Sequence, residues 1–93
     1  MFNNKSILIT GGTGSFGNEF VSRIVQKYKK VKRLIIFSRD ELKQYEMSKR
    51  FSEQKYKFIR YFLGDIRDRN RLYTALNDVD YVFHAAALKQ VPR

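Results

Sequence analysis

LITGGTGSFGNEF, Leu8 to Phe20, decides how this chain folds. An apolar run ends in four glycines within seven positions and then passes into helical spacing. Gly12-Thr13-Gly14-Ser15-Phe16-Gly17 fits G-x-G-x-x-G, while Gly11, Gly14 and Gly17 fit G-x-x-G-x-x-G. Alone, either pattern is weak. Placed after a strand and at the opening of a helix, it has a mechanism. One glycine frees a tight turn, another lets a diphosphate approach the backbone amides, and the last permits close helix–strand packing. The helix N-terminus adds donors and a partial positive charge.

Outward from the glycines, the pattern repeats. Lys5 to Thr10 reads as a buried strand, and Phe16, Phe20, Ile24 and Tyr28, with Val21 and Val25, form one apolar helical stripe. Arg33 to Ser38 (RLIIFS) is a second strand. Asp40 to Phe51 is a mostly exposed helix whose weaker stripe is Leu42, Tyr45 and Phe51. Tyr56 to Asp65 contains a third strand, and Asp68 caps a helix that carries Leu72, Ala75 and Leu76 inward. Asp80 to Ala87 is a fourth strand followed by small residues. Strands alternating with helices predict an α/β fold. The expected form is a Rossmann-type doubly wound parallel sheet of four strands in the order 3-2-1-4, incomplete for its class.

Composition narrows the function. The 93 residues suffice for one small domain, and 43% apolar residues make it a folding sequence. Cysteine is absent, which excludes a disulfide scaffold and a thiolate metal site and fits a reducing compartment. No apolar stretch is long enough to span a bilayer, and MFNNKS lacks a signal-peptide core, so the expected location is cytoplasmic. The net charge of +10 lies in scattered groups: Lys27 to Arg33, Lys49 to Lys57, and Arg67, Arg69 and Arg71. These read as solvated loops and helix ends, and no nucleic-acid-binding signature accompanies them. No metal site is expected.

A dinucleotide site places an acidic residue about 20 positions beyond the glycines when a free ribose 2′-hydroxyl is read. Here Ser38 and Arg39 come first and Asp40 follows. A hydroxyl and a guanidinium suit a 2′-phosphate, with Lys43 one turn on, so the expected cofactor is NADP. Two jobs stand open to Asp40, capping the helix or meeting the ribose. Asp65 and the Ile66 backbone can meet the adenine, or Asp65 can cap. His84, the only histidine, reads as a structural group at a strand end.

LITGGTGSFG, FSRDELKQYEM, GDIRDRNRL and DYVFHAAALKQVP together resemble the extended short-chain dehydrogenase/reductases. More narrowly they look like the inverting UDP-N-acetylglucosamine 4,6-dehydratases of bacterial polysaccharide and flagellin-glycan biosynthesis, which are lyases. The resemblance implies NADP contacts from Thr13, Gly14, Ser15 and Phe16, from Ser38, Arg39, Asp40, Glu41, Leu42 and Lys43, and from Asp65, Ile66 and Ala85. Lys89 would lie where cofactor and UDP-sugar meet. A homo-oligomer is implied for the full-length family. The family's Tyr-x-x-x-Lys falls beyond Arg93, so residues 1–93 are expected to be the N-terminal part of the NADP-binding domain, without catalytic residues or a substrate domain. Tyr28–Lys32 and Tyr45–Lys49 match that spacing, but neither is placed for the chemistry. A non-catalytic NADP-binding or sensing module uses the same glycines.

Overall fold

Ile7, Leu8 and Ile9 are consecutive, and all three are fully buried. Side chains alternate between the faces of a strand, so this strand needs cover on both sides. The computed structural model describes residues 2–85 and supplies that cover. Its elements are β1 (Ser6–Thr10), α1 (Ser15–Lys27), β2 (Arg33–Ser38), α2 (Glu41–Arg50), β3 (Ile59–Leu63), α3 (Arg69–Ala75) and β4 (Tyr81–His84). All strand pairs are parallel and the order is β3-β2-β1-β4, the expected doubly wound arrangement. The Lys89 expectation lies outside the described residues.

Two cores flank the sheet. On one face Ile7, Ile9, Leu34, Ile36 and Ile59 meet Val21, Ile24 and Val25 of α1 and Met47 of α2. On the other, Leu8, Ile35 and Phe37 meet Ala75 of α3, with Leu72 and Leu76 partly buried beside it. Each large apolar side chain removed from water contributes about 1.5–3 kcal/mol, and β1 and β2 hold most of the fully buried ones. The edge strands are less buried than the central pair. In β3 only Ile59 is buried, and Val82 of β4 is 53% exposed. Among the described residues, only β1 and β2 have a strand on each side. The start of β4 is pinned by Asp80, whose carboxylate accepts from the Ser6 N–H at 2.8 Å while its own N–H donates to the Ser6 carbonyl.

The apolar stripe of α2 is a correction. Leu42 and Tyr45 point outward, 66% and 59% exposed, and the inward residues are Gln44, Met47 and, just past the helix, Phe51. Phe51 also accepts, through its carbonyl, the Tyr61 hydroxyl at 2.6 Å. Burial, with the Glu53 carboxylate nearby, pushes the Tyr61 phenol up to about 12. A raised folded-state pKa adds stability that is complete below the ordinary phenol value and lost as pH climbs toward the folded one. Thermal melts of the native chain and Tyr61→Phe should therefore converge between pH 10 and about 12. Curves that stay parallel across that window contradict the assignment.

Candidate functional site: a cleft at the carboxyl ends of the strands

The four glycines serve different ends. Gly11 takes φ 65°, where a side chain is strained, and turns the chain off β1. A Cβ on Gly12 would stand 3.0 Å from Ile9 Cγ2, and one on Gly17 would stand 1.9 Å from the Gly12 carbonyl oxygen. Those two allow α1 to seat on the sheet. A Cβ on Gly14 would meet nothing nearer than the Gly11 oxygen at 3.9 Å. Its bareness keeps a surface open rather than a contact close.

Helix capping separates α1 from its neighbours. Asp40 caps α2 by accepting from the Lys43 N–H at 3.0 Å, and Asp68 caps α3 through the Arg71 N–H at 3.1 Å. The N-cap of α1 is Gly14, with no side-chain cap. The first intrahelical bond runs from the Asn18 N–H to the Gly14 carbonyl. The N–H groups of Ser15, Phe16 and Gly17 precede it and have no intrahelical acceptor. Together with the helix dipole they make a receptor for an anion.

That end of α1 opens on a cleft of about 610 Å³ at the carboxyl ends of the strands. It brings together Gly11, Thr13, Gly14, Ser38, Arg39, Asp40, Lys43, Asp65 and Ile66 of the residues singled out from sequence. Ser15, Phe16 and Gly17 follow in the first turn of α1 without forming its wall, and Phe16 stacks on Phe20. Glu41 and Leu42 lie on the outer side of α2, and Ala85 is buried in the core one residue beyond His84. Tyr28 and the Tyr45–Lys49 pair stand outside the cleft; Lys49 Nζ sits 4.7 Å over the Tyr45 ring.

Thr10, Phe37, Gly64 and Arg67 also line the cleft, and His84, which reads from sequence as a structural group, lines it too. The Thr10–His84 contact follows from strand register, which pairs these two residues on adjacent strands. Gln44 was not singled out from sequence. Its buried Nε2 donates to Ser38 Oγ at 3.0 Å and to the Phe62 carbonyl at 3.1 Å, tying α2 to the ends of β2 and β3. Ser38 Oγ thus accepts from within the chain, and its own O–H remains to donate.

Arg39 and Asp65 meet across the cleft mouth, Nη1 to Oδ2 at 3.4 Å. Asp65 is held more closely by Arg67, at 2.8 Å from Nη2 and 2.9 Å from the backbone N–H. Hydrogen bonds from Arg67, then the charges of Arg67 and Arg39, hold the Asp65 carboxyl well below the usual carboxylate range. Asp65 caps no helix, since Asp68 does so.

Residues 7–93 match the family model described as polysaccharide biosynthesis protein. The chain belongs to that family. Over 99% of its length it is 56% identical to a UDP-N-acetylglucosamine 4,6-dehydratase (inverting) of Campylobacter jejuni, covering 26% of that protein. It is also 53% identical to a protein of Rickettsia bellii named UDP-glucose 4-epimerase, covering 27% of it. The crystal structure of Pen from Bacillus thuringiensis superposes with a TM-score of 0.82 at 42% identity, over 97% of this chain and 28% of that one. A dTDP-glucose 4,6-dehydratase of Bacillus anthracis, solved in complex with NAD, gives 0.73 at 25% identity, over 86% and 26%. The chain thus spans about a quarter of the length of its relatives.

Proposed function

We propose that this family member forms the NADP-binding part of a UDP-N-acetylglucosamine 4,6-dehydratase that inverts C5, working in the cytoplasm on bacterial surface polysaccharide or glycan precursors. Residues 1–93 are the N-terminal part of the dinucleotide domain. The acid and base, the UDP-sugar site and the oligomer contacts belong to the remaining three-quarters of such an enzyme, and the short chain alone is inactive. One observation carries the reading. The bare, uncapped end of α1 opens on the same cleft as Ser38, Arg39 and Lys43.

In that cleft the Ser15, Phe16 and Gly17 amides hold a diphosphate, and the absence of a Cβ on Gly14 lets it approach. Ser38 donates its hydroxyl proton to a ribose 2′-phosphate, while Arg39 and Lys43 neutralise its charge. Asp40 gives Oδ1 to its cap, and the donors Ser38, Arg39 and Lys43 stand beside it on the cleft wall, a balance that suits a phosphate better than a free 2′-hydroxyl. Asp65 and Ile66 flank the adenine. Held by these residues, the dinucleotide would supply reversible hydride transfer to the sugar of the UDP-linked substrate. Lys89 is assigned to the place where cofactor and sugar nucleotide meet.

The epimerase names among the Rickettsia relatives favour a second reading, the equivalent part of a UDP-glucose 4-epimerase. Both begin with oxidation at C4 and part at product. A chimera in which this chain replaces the matching quarter of the Campylobacter dehydratase tests the first. It should release a 6-deoxy-4-keto product from UDP-N-acetylglucosamine with NADP, and the 93-residue chain alone should release none. A soluble chimera that binds NADP but gives no product supports the non-catalytic module instead.

A further inference from the structure

We infer that Asn18 and Arg50 are positioning residues that set which way the glycine-loop peptides face, and so prepare the loop for a diphosphate. The inference rests on the dinucleotide reading above. Asn18, on the first turn of α1, donates its side-chain amide to two loop carbonyls, Thr13 at 3.2 Å and Gly14 at 3.0 Å. Its Oδ1 accepts from Arg50 Nη1 at 3.2 Å. Two carbonyl acceptors on one side and a guanidinium donor on the other fix the orientation of the amide. Arg50 is steadied in turn, with its guanidinium 4.9 Å over the Phe51 ring.

The consequence lies in the trans peptide. A carbonyl and the N–H of the next residue lie in one plane and point in opposite directions, on opposite sides of the C–N bond. Bracing the Gly14 carbonyl toward Asn18 therefore turns the Ser15 N–H away from it. An unbraced loop can present carbonyl oxygens instead, and these repel a diphosphate. Four glycines make such rotation easy, and a Gly14 with no Cβ cannot resist it by itself. The Asn18 backbone N–H already holds the Gly14 carbonyl at 2.9 Å; the side-chain strut reinforces that hold and extends it to the Thr13 carbonyl.

The strut's own bonds are polar, and its apolar contact is the face of the Phe51 ring under the Arg50 guanidinium. Asn18 and Arg50 line an open groove of about 280 Å³ between α1 and α2, shared with Thr13, Lys43, Glu46 and Met47. Thr13 and Lys43 also line the main cleft. Through Arg50 the strut couples α2, which follows Arg39 and carries Lys43, to the loop that would hold the diphosphate at the centre of the dinucleotide.

Calorimetric titration of Asn18→Ala and Arg50→Ala in the 93-residue chain tests this, with NADP+ and adenosine 2′-monophosphate as probes. The second carries the 2′-phosphate without a diphosphate. Loss of the strut should weaken NADP+ about fivefold, as expected for a few neutral hydrogen bonds, and leave the monophosphate within about twofold. Ser15 amide exchange should quicken in both variants while the melting temperature stays within about 2 °C. Equal weakening of both probes, or no weakening of either, overturns the inference. A native chain that binds no NADP+ overturns the dinucleotide reading instead, and unchanged Ser15 exchange in Asn18→Ala then overturns the strut as well.

Discussion

Gly17→Ala is expected to abolish folding of the chain, although helix propensity alone argues the reverse. Inside a helix alanine is favoured over glycine by about 1 kcal/mol. At position 17 the new Cβ would stand 1.9 Å from the Gly12 oxygen, 2.2 Å from its carbonyl carbon and 2.5 Å from its Cα. All three are backbone atoms, so no side chain can rotate away. Gly12 cannot retreat either, because Ile9 and Ile36 already pack against it. The helix must lift, uncovering Val21, Ile24 and Val25. Overpacking that side chains can absorb costs about 1–3 kcal/mol. A clash against backbone sits at or above that limit, a large share of the about 5–15 kcal/mol that holds a typical domain. Thermal unfolding followed by circular dichroism should show no cooperative transition for Gly17→Ala. Gly14→Ala, whose Cβ would make only an ordinary contact with the Gly11 oxygen, should keep a cooperative melt, lowered slightly by the poorer N-cap, and lose nucleotide affinity. If Gly17→Ala melts within a few degrees of the native chain, the packing role fails.

The sequence was most legible where one physical signal acted alone. RLIIFS reads as a strand from Arg33 to Ser38, and those are its ends in the structure, because a strand buried on both faces is an unbroken apolar run. Asp40 and Asp68 announce their helices through the capping bonds they make. The glycine spacing likewise divides into turn, open surface and packing by position. Legibility failed on α2. Its stripe reads as Leu42, Tyr45 and Phe51, of which Phe51 alone is buried, and the helix docks through Met47 and a buried Gln44, whose amide satisfies Ser38 and Phe62. Apolar periodicity cannot register a helix fastened by hydrogen bonds. The spacing of Gln44, Met47 and Phe51 was the available clue. The Arg39–Asp65 contact joins residues 26 apart in sequence, which no local pattern contains. It follows once β2 and β3 are known to be neighbours, since their carboxyl ends then open onto one another.

That contact bears directly on Arg39→Ala, which should discriminate between the two nicotinamide dinucleotides. The Arg39 side chain is 72% exposed, and its 3.4 Å approach to Asp65 is the looser of the two that carboxylate receives. Exposed ion pairs of this kind contribute little, about 0–1 kcal/mol, so turning Arg39 toward a ligand costs little. Asp65 does not compete by becoming neutral, because Arg67 keeps it ionised into acid, and it stays satisfied when Arg39 leaves. A guanidinium fork on a 2′-phosphate forms charge-assisted hydrogen bonds worth about 1.5–3 kcal/mol. Truncating it should therefore weaken NADP+ about 10- to 150-fold. NAD+, which offers only a hydroxyl there, should change by about twofold or less. Arg39→Lys should fall between, keeping the charge and losing the fork. Raising the salt concentration should narrow the gap between the dinucleotides in the native chain and leave it nearly unchanged in Arg39→Ala. Equal losses for NADP+ and NAD+ would mean that Arg39 supports the shape of the cleft mouth and reads no phosphate, and the cofactor assignment would then pass to NAD.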